Sequence, residues 1–570
     1  MRKNNLLVGM FAMAALTFAA CSNEELPAGE ITGGDGTTEV VEGVPTYARF
    51  SFKLNGTHTR ATTPGSTDEQ AVKNIHVYVF SNGIFEGGTS PAGTVVNNST
   101  GVFHSEALKL TSGLKNILVV ANIETSWFPQ PTVGTSLATF QNQLMELYTT
   151  PGRIVHEGTT AVPRVGEGYK NLQGTDKPAD NGYLMANSIS ESSFTLKPGV
   201  SQSDAEQNSY PGGNASDYNH FDISLQRVTA KMQVTYDDAD ALVYEAPVGD
   251  LSNKVEIGKL TSPYFTVRNL PKNVYLFKHS NVDSPLLTPF YTATNTTSGW
   301  GDFSIFDEVN VPDITIAAKD APAPGTMYIP ENANAVPVIG NTSYILVKGT
   351  FEPNKDLVIT GYDASGKPEH AYAGSSDAIT TYTNAPAWGS EIYAVPVSVI
   401  GEANRVKYGL QTTLKAYLLK VGLKDYLGKD ESNPYYDGIL GKNVYYSIAL
   451  GAKDGIYNTA IVSKNVEKDN NSGYDTTPVE TIKFLQYENG TTYYRINIQD
   501  NTYPENNNLY YSVTRNNFYN VNIQSISGLG YPSEGDVTVE PETPISQTTY
   551  MQAHITVEPW KVINQGADLN

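Results

Sequence analysis

The sequence predicts a mainly β protein built from β-sandwiches, on three observations. Short stretches with apolar residues at every second position recur from Tyr47 to Val557. They are separated by loops of Gly, Asn, Asp and Pro, with few stretches of helical periodicity. Tyrosine is abundant, at 36 residues, which suits pleated surfaces exposed on one face.

The elements follow in order. Arg2 and Lys3 precede the apolar run LLVGMFAMAALTFAAC, a charged region and an apolar region of signal-peptide length, too short for a bilayer span. Residues 1–20 are therefore expected to be a signal peptide. Its end, FAAC, resembles a bacterial lipobox, which makes Cys21 the expected lipidation site; the alternative is an ordinary signal peptide with an incidental cysteine. Cys21 is the only cysteine. The SNEE that follows resembles the surface-export signal of Bacteroidetes lipoproteins. Residues 22–45 read as a Gly/Glu/Thr/Pro tether.

The stretch YARFSFKL then alternates, with Ala48, Phe50, Phe52 and Leu54 on one face and Tyr47, Arg49, Ser51 and Lys53 on the other. It runs straight into a soft loop, NGTHTRATTPG, which carries Arg60 followed by Ala61, a trypsin-like cleavage site. NIHVYVF and LKNILVVANI read as strands, the second fully buried. SLATFQNQLMELYTT reads as a helix, with Leu137, Phe140, Leu144 and Leu147 at spacings of three and four and Ser136 as its cap. GYLMANSI and SSFTLKPG read as strands. Alternation resumes in FDISLQRVTAKMQVTY, so a domain edge is placed near 220. Beyond it SYILVKGTFEP, KNVYYSIAL, TTYYRINIQD and RNNFYNVNIQSISGLG are the firmest strands. A flexible Pro/Glu-rich linker is expected from 531, leading to YMQAHITVEPWKV, with Met551, Ala553, Ile555 and Val557 on one face and Trp560 as an anchor.

Composition excludes several classes of function. One cysteine permits neither disulfides nor a cysteine-based metal site. A net charge of −21 argues against nucleic acid and anionic lipid as partners. The eight histidines show no metal-ligand spacing, and no nucleophile elbow, phosphate loop or dinucleotide fingerprint occurs. No enzyme activity, cofactor or metal is therefore expected. Asp237, Asp238 and Asp240 suit either a calcium site or a solvated turn, and 467–475 misses the calcium-loop spacing. Tryptophans at 127, 300, 388 and 560 are thin support for sugar stacking.

Taken in order, FAAC, THTRATTPG, LKNILVVANI, LQRVTAKMQV, SYILVKGTF, VTRNNFYNVNIQSISGLG, the Pro/acidic linker and ITVEPWKV resemble the Bacteroidales fimbrillins. The likeness is specifically to the Mfa-type (minor fimbrium) major pilin, a subunit of type V pili. The resemblance spans most of the chain and implies two transthyretin-like β-sandwich domains with one or few short helices in the first. The expected division is a propeptide over 21–60, an N-terminal domain over 61–220, a C-terminal domain over 221–530, and a linker with a donor-strand tail over 531–570. It further implies an outer-membrane lipoprotein precursor, cutting by an arginine-specific protease, and donor-strand exchange among copies of the chain, with anchor and tip subunits as further partners. The fibres would serve adhesion and biofilm formation.

The residues support the same logic. Four inward side chains at roughly 1.5–3 kcal/mol each place the opening strand's burial at about 6–12 kcal/mol. While covalently attached, that strand faces its groove at an effective concentration on the order of millimolar, so a donor cannot compete until the link at Arg60 is cut. The cut also frees the chain from its lipid. Met551, Ala553, Ile555 and Val557 are the expected donor residues, taking the places of Ala48, Phe50, Phe52 and Leu54. A stretch from Trp560 to Leu569 is the alternative donor. Two other functions stay open: a tip or accessory fimbrial subunit, and a surface glycan-binding lipoprotein.

Overall fold

The first core forms where the opening strand, Pro45–Leu54, is laid between one strand on one edge and two on the other. It runs parallel to His220–Arg227, with Phe50 beside Phe221 and Phe52 beside Ile223, and antiparallel to Leu108–Thr111 and Phe103–His104 on its other edge. The same sheet continues through Met185–Ala186, Gly113–Ala121, Asn74–Ser81 and Ile84–Gly88. It folds over on itself, so that Ala48, Phe50 and Phe52 share one cluster with Val77, Val79 and Val119. Alternation in the sequence thus becomes a sandwich, as the period of two requires. The structure, a computed structural model, describes residues 41–559 with breaks, the longest being 55–71, 155–182, 279–305, 374–391 and 395–430.

The helix read from SLATFQNQLMELYTT is shorter than its spacing predicts, and short strands follow it at Leu144–Glu146 and Tyr148–Thr150. Only Leu137–Gln141 is helical; Ser136 does cap it, its hydroxyl accepting from Thr139 N at 3.1 Å. Leu144–Glu146 is extended and pairs with Asn273–Tyr275. Ladder bonds to a segment more than a hundred residues away outweigh a weak local helical pattern. Phe140 nonetheless does what its spacing foretold: it packs on Tyr78 and Phe80, with ring centroids 4.8 and 5.3 Å away.

Alternation across 221–236 is broken by a change of sheet. His220–Arg227 belongs to the first sheet, Val228 is buried, and Thr229–Tyr236 begins the second. The edge placed near 220 marks the start of the last strand of the first sheet; the passage between sheets comes at Val228.

In the second sheet Thr229–Tyr236 lies parallel to Asn517–Ile526 and antiparallel to Thr326–Pro330. Val243–Val248, the long Asp250–Arg268, Tyr344–Pro353 and Thr491–Asn497 extend it. The long strand tolerates Pro263 because Ser262 takes φ 48° at a bulge between Thr261 and Tyr264. Arg515, at the foot of Asn517–Ile526, is fully buried; it donates to Glu331 Oε2 from both Nε and Nη2, at 2.9 and 2.7 Å, and to the carbonyls of Leu276 and Tyr275. A third, five-stranded sheet contains Lys442–Asp454, Tyr457–Val466 and Glu480–Tyr487. Among the described residues no helix is long and apolar enough to cross a membrane.

The linker expected to be slack from 531 is packed where it is described. Tyr531 and Tyr493 exchange backbone bonds at 3.0 and 2.7 Å, Val537 joins Tyr344 and Leu346 in a small core, and Ile545 is buried. Gly530, at φ 72°, allows the close approach: a Cβ there would lie 2.4 Å from Tyr493 O. Two apolar residues in a polar run suffice to pin it.

Candidate functional site

Two strands identified in the sequence define the site. The opening strand is held along both edges. Ala48, Phe50 and Phe52 are wholly buried; Leu54 pairs with Leu225 through its backbone, six residues before Arg60. Its first half is tied down by Asn219, a buried residue in the left-handed region (φ 50°). The Asn219 amide donates to Thr46 Oγ1 at 2.9 Å, Tyr47 O at 3.1 Å and Lys197 O at 2.9 Å. Thr46 in turn donates to Lys197 O at 2.7 Å and accepts from Val200 N at 3.1 Å.

The other face of the strand departs from the expected half-exposed surface. Ser51 is buried, and its hydroxyl lies between two imidazoles: His104 Nδ1 at 2.8 Å and His220 Nε2. His220 Nδ1 is hydrogen-bonded in turn to the Tyr210 hydroxyl. With both rings neutral, the protons run in one direction along Tyr210, His220, Ser51 and His104, so each atom of the chain is satisfied. Burial, then Arg49, hold His104 below the usual histidine range, and burial, Arg49 and His104 do so for His220; Asp222 opposes in both cases. Burial pushes the Tyr210 hydroxyl up. Arg49 is itself occupied, donating to Ser105 O, Glu206 O and Asn208 Oδ1 at 3.3, 2.9 and 3.0 Å. This cluster was not read from the sequence. Its members stand at 51, 104, 210 and 220, and only the three-dimensional pairing of the opening strand with both flanking strands brings them together.

The tail strand, Met551–Pro559, is an antiparallel partner of Asn517–Ile526, and this is its one ladder among the described residues. Period two holds: Met551, Ile555 and Val557 are buried and Ala553 half-buried, while Gln552 and His554 are exposed. Thr556, half-buried, lies on the outward side at 3.5 Å from His554 Nδ1. Beyond the ladder, Asn501 donates to Ile555 O at 2.9 Å. The residues read as a donor thus sit in their own sheet. Cys21, Arg60, Ala61 and Trp560 lie outside the described residues, as do Trp127, Trp300 and Trp388.

The acidic cluster at 237–240 forms a turn. Asp237 accepts from Lys319 at 3.0 Å and Asn522 at 2.6 Å, and Asp238 caps Ala239–Leu242 by accepting from Asp240 N and Ala241 N. Among the described residues no group of three or more His, Cys, Asp or Glu could hold a metal ion.

Two family models match the chain. One, described as major fimbrial subunit protein (FimA), matches residues 48–227 and so begins within the opening strand. The other, described as major fimbrial subunit protein type IV, fimbrillin, C-terminal, matches 485–566 and spans the tail strand. No curated protein matches. Similar solved structures include a fimbrilin (fimA) from Porphyromonas gingivalis W83, 16% identical, covering 91% of this chain and 99% of that one with a TM-score of 0.38. A putative cell adhesion protein from Parabacteroides distasonis ATCC 8503 is 12% identical, with 92% and 98% coverage and a TM-score of 0.39. The tip fimbrial protein Mfa3 from Porphyromonas gingivalis is 11% identical, with 90% and 99% coverage and a TM-score of 0.30.

Proposed function

We propose, on the two fimbrillin-type family models that match residues 48–227 and 485–566, that the chain is a fimbrillin and a shaft subunit of a surface fimbrium, of the Mfa-type major pilin kind, assembled by donor-strand exchange. In this reading the precursor is lipidated at Cys21 and held at the outer membrane. An arginine-specific protease cuts between Arg60 and Ala61, the opening strand leaves with the propeptide, and the tail of another copy takes its place. Residues 61–220, extended to the strand ending at Arg227, form the accepting domain; the remainder to 530 forms the second domain that carries the tail.

The observation that supports this best is the pairing of the opening strand along both edges. Its removal would leave two open ladders and a groove lined by apolar side chains, an arrangement suited to capture of another strand. A terminal strand held along one edge is the complementary element. Adhesion follows from surface display of the fibre.

N-terminal sequencing of the mature surface protein tests the reading. A start at Ala61 in polymeric material supports it; a lipidated Cys21 on the bulk of the surface protein overturns it. One observation favours a tip or accessory subunit instead: the tail strand and its linker are packed on their own domain. In that case the matured protein would cap fibres and not extend them.

A further inference from the structure

The position of Ser51 between two imidazoles restricts which residue can replace it. A strand that takes over this groove must bring a small hydroxyl to the same place, or His104 and His220 lose the group that joins them. The tail strand carries such a hydroxyl in a matching context. Residues 48–52 read Ala-Arg-Phe-Ser-Phe and residues 553–557 read Ala-His-Ile-Thr-Val. Both are alanine, a basic or imidazole residue, a large apolar residue, a β-hydroxyl residue, and a large apolar residue.

Resting on the strand-exchange reading, we propose that the occupant of the groove is the tail strand of a second copy, in the register that places its Thr556 hydroxyl between His104 and His220. Ala553 then stands where Ala48 stood, Ile555 where Phe50 stood and Val557 where Phe52 stood. This differs by two residues from the alignment that puts Met551 on Ala48. Volume supports the change. The earlier alignment drives Met551 into the wholly buried place of an alanine and leaves Ala553 in the place of Phe50, an overpacked site beside a cavity. It also sets His554, a third imidazole, where a hydroxyl bridges two rings. In the register proposed here alanine replaces alanine, β-branched residues replace two phenylalanines, and Met551 moves to the start of the strand, on Thr46.

The hydroxyl is available in the donor. Thr556 lies on the side of the tail strand away from Met551, Ile555 and Val557, so its role in its own domain is slight. A donated Thr556 is opposite His104 in the ladder, as Ser51 is.

The test uses full-length precursor matured with an arginine-specific protease. Cys21 lies upstream of the cut, so the matured chain has no native thiol. His104→Cys with Thr556→Cys should form disulfides between copies on mild oxidation, giving a ladder on a non-reducing gel, since directly opposed residues have Cα atoms within disulfide reach. His104→Cys with His554→Cys should not. The reverse result, or fibres in which neither pair cross-links, overturns the register and leaves strand exchange standing. A cross-link confined to the monomer overturns the assignment to a second copy. Because His104→Cys removes part of the site, Thr556→Val provides a second measurement with both imidazoles intact. It should slow elongation about tenfold at an unchanged monomer melting temperature, the effect of one hydrogen bond per junction, and Thr556→Ser should rescue it. Elongation of Thr556→Val at the native rate overturns the proposal. Matured wild-type chain that never polymerises overturns the strand-exchange reading itself.

Discussion

Pro45–Leu54 and Met551–Pro559 share one pattern and are held by different numbers of neighbours. The first is paired along both edges, with three strands in all, buries Ala48, Phe50 and Phe52 completely, and is anchored further by Asn219, His104 and His220. The second has one ladder, with Gln552 and His554 exposed, and a side-chain bond from Asn501 on its other edge. A strand secured on both sides leaves only with the loss of two ladders and a core. An edge strand can peel away from a fold that otherwise stays whole. The difference teaches which of the two needs a covalent cut. In the proposed exchange, the cut falls beside the strand that is held too well to leave on its own, and the donor is the strand held less.

The largest effect should come from truncating the two strands in turn. Phe50→Ala should destabilise the uncut precursor by about 3–5 kcal/mol, the loss of a fully buried aromatic plus its cavity. Ile555→Ala should cost roughly 2 kcal/mol, near the low end for its type, because an edge site relaxes more readily. Urea unfolding of both variants measures the gap. Equal costs would mean that the tail is as integral as the opening strand, and the asymmetry drawn above would be lost.

Acid should separate the two regions next. His76, on Asn74–Ser81 of the first sheet, is buried with neither ring nitrogen hydrogen-bonded among the described residues, and burial lowers its pKa to about 4. A histidine whose folded pKa lies below its unfolded value near 6.5 favours the fold when neutral. That contribution is complete above the unfolded value and is lost as pH falls from there toward 4. Between pH 7.5 and pH 5 the loss should reach about 2 kcal/mol. His104 and His220 shift in the same direction and add to it. An opposing group lies beside the second sheet, where Asp500 accepts from the Tyr519 hydroxyl at 3.0 Å: burial raises Asp500, so acid relieves the burial of its charge. Melting the protein at both pH values, alone and with His76→Phe, should show acid sensitivity concentrated in the first sheet and reduced in the variant. Identical pH dependence with and without His76 would remove the explanation.

Much of this arrangement was legible in the sequence, for stated reasons. Period two is a local property, so Ala48, Phe50 and Phe52, and likewise Met551, Ile555 and Val557, could be assigned to buried faces from spacing alone. Ser136 was recognisable as a cap because capping is also local. What was not legible depends on pairing across long separations. Leu144–Glu146 became extended through Asn273–Tyr275, and Val537 and Ile545 fastened a linker whose composition reads as slack. Ser51 looked like a solvent-facing residue because nothing near it in the chain announces that residues 104 and 220 arrive on either side.

A smaller effect is expected at that serine. Ser51→Ala removes the hydroxyl and leaves His104 Nδ1 and His220 Nε2 facing a methyl group, which should cost about 1–3 kcal/mol in the uncut precursor. Its counterpart, Thr556→Val, should change the monomer by less than about 0.5 kcal/mol, since Thr556 is half-buried on the outward side of an edge strand. Parallel thermal melts check both. A costly Thr556→Val would give the tail hydroxyl a role in its own domain and weaken the case that it serves another copy.

The smallest change in stability should accompany the largest change in assembly. Arg60→Ala alters one residue of a Gly/Thr/Pro-rich stretch beyond the end of the opening strand, so the melting curve should move by less than about 0.5 kcal/mol. The strand, however, stays attached to the domain it fills. Its effective concentration, on the order of millimolar, then excludes a tail from another copy at any attainable protein concentration. The surface protein should remain a lipidated monomer, with no high-molecular-weight ladder. Arg49 should not substitute as a cutting site, because its side chain donates to Ser105, Glu206 and Asn208 and its backbone is paired with His220. A protease needs an extended, accessible segment, and a strand bonded along both edges offers none until the fold opens. If Arg60→Ala yields normal fibres with an unprocessed N-terminus, the opening strand is not what blocks exchange, and the contrast between the two strands has no part in assembly.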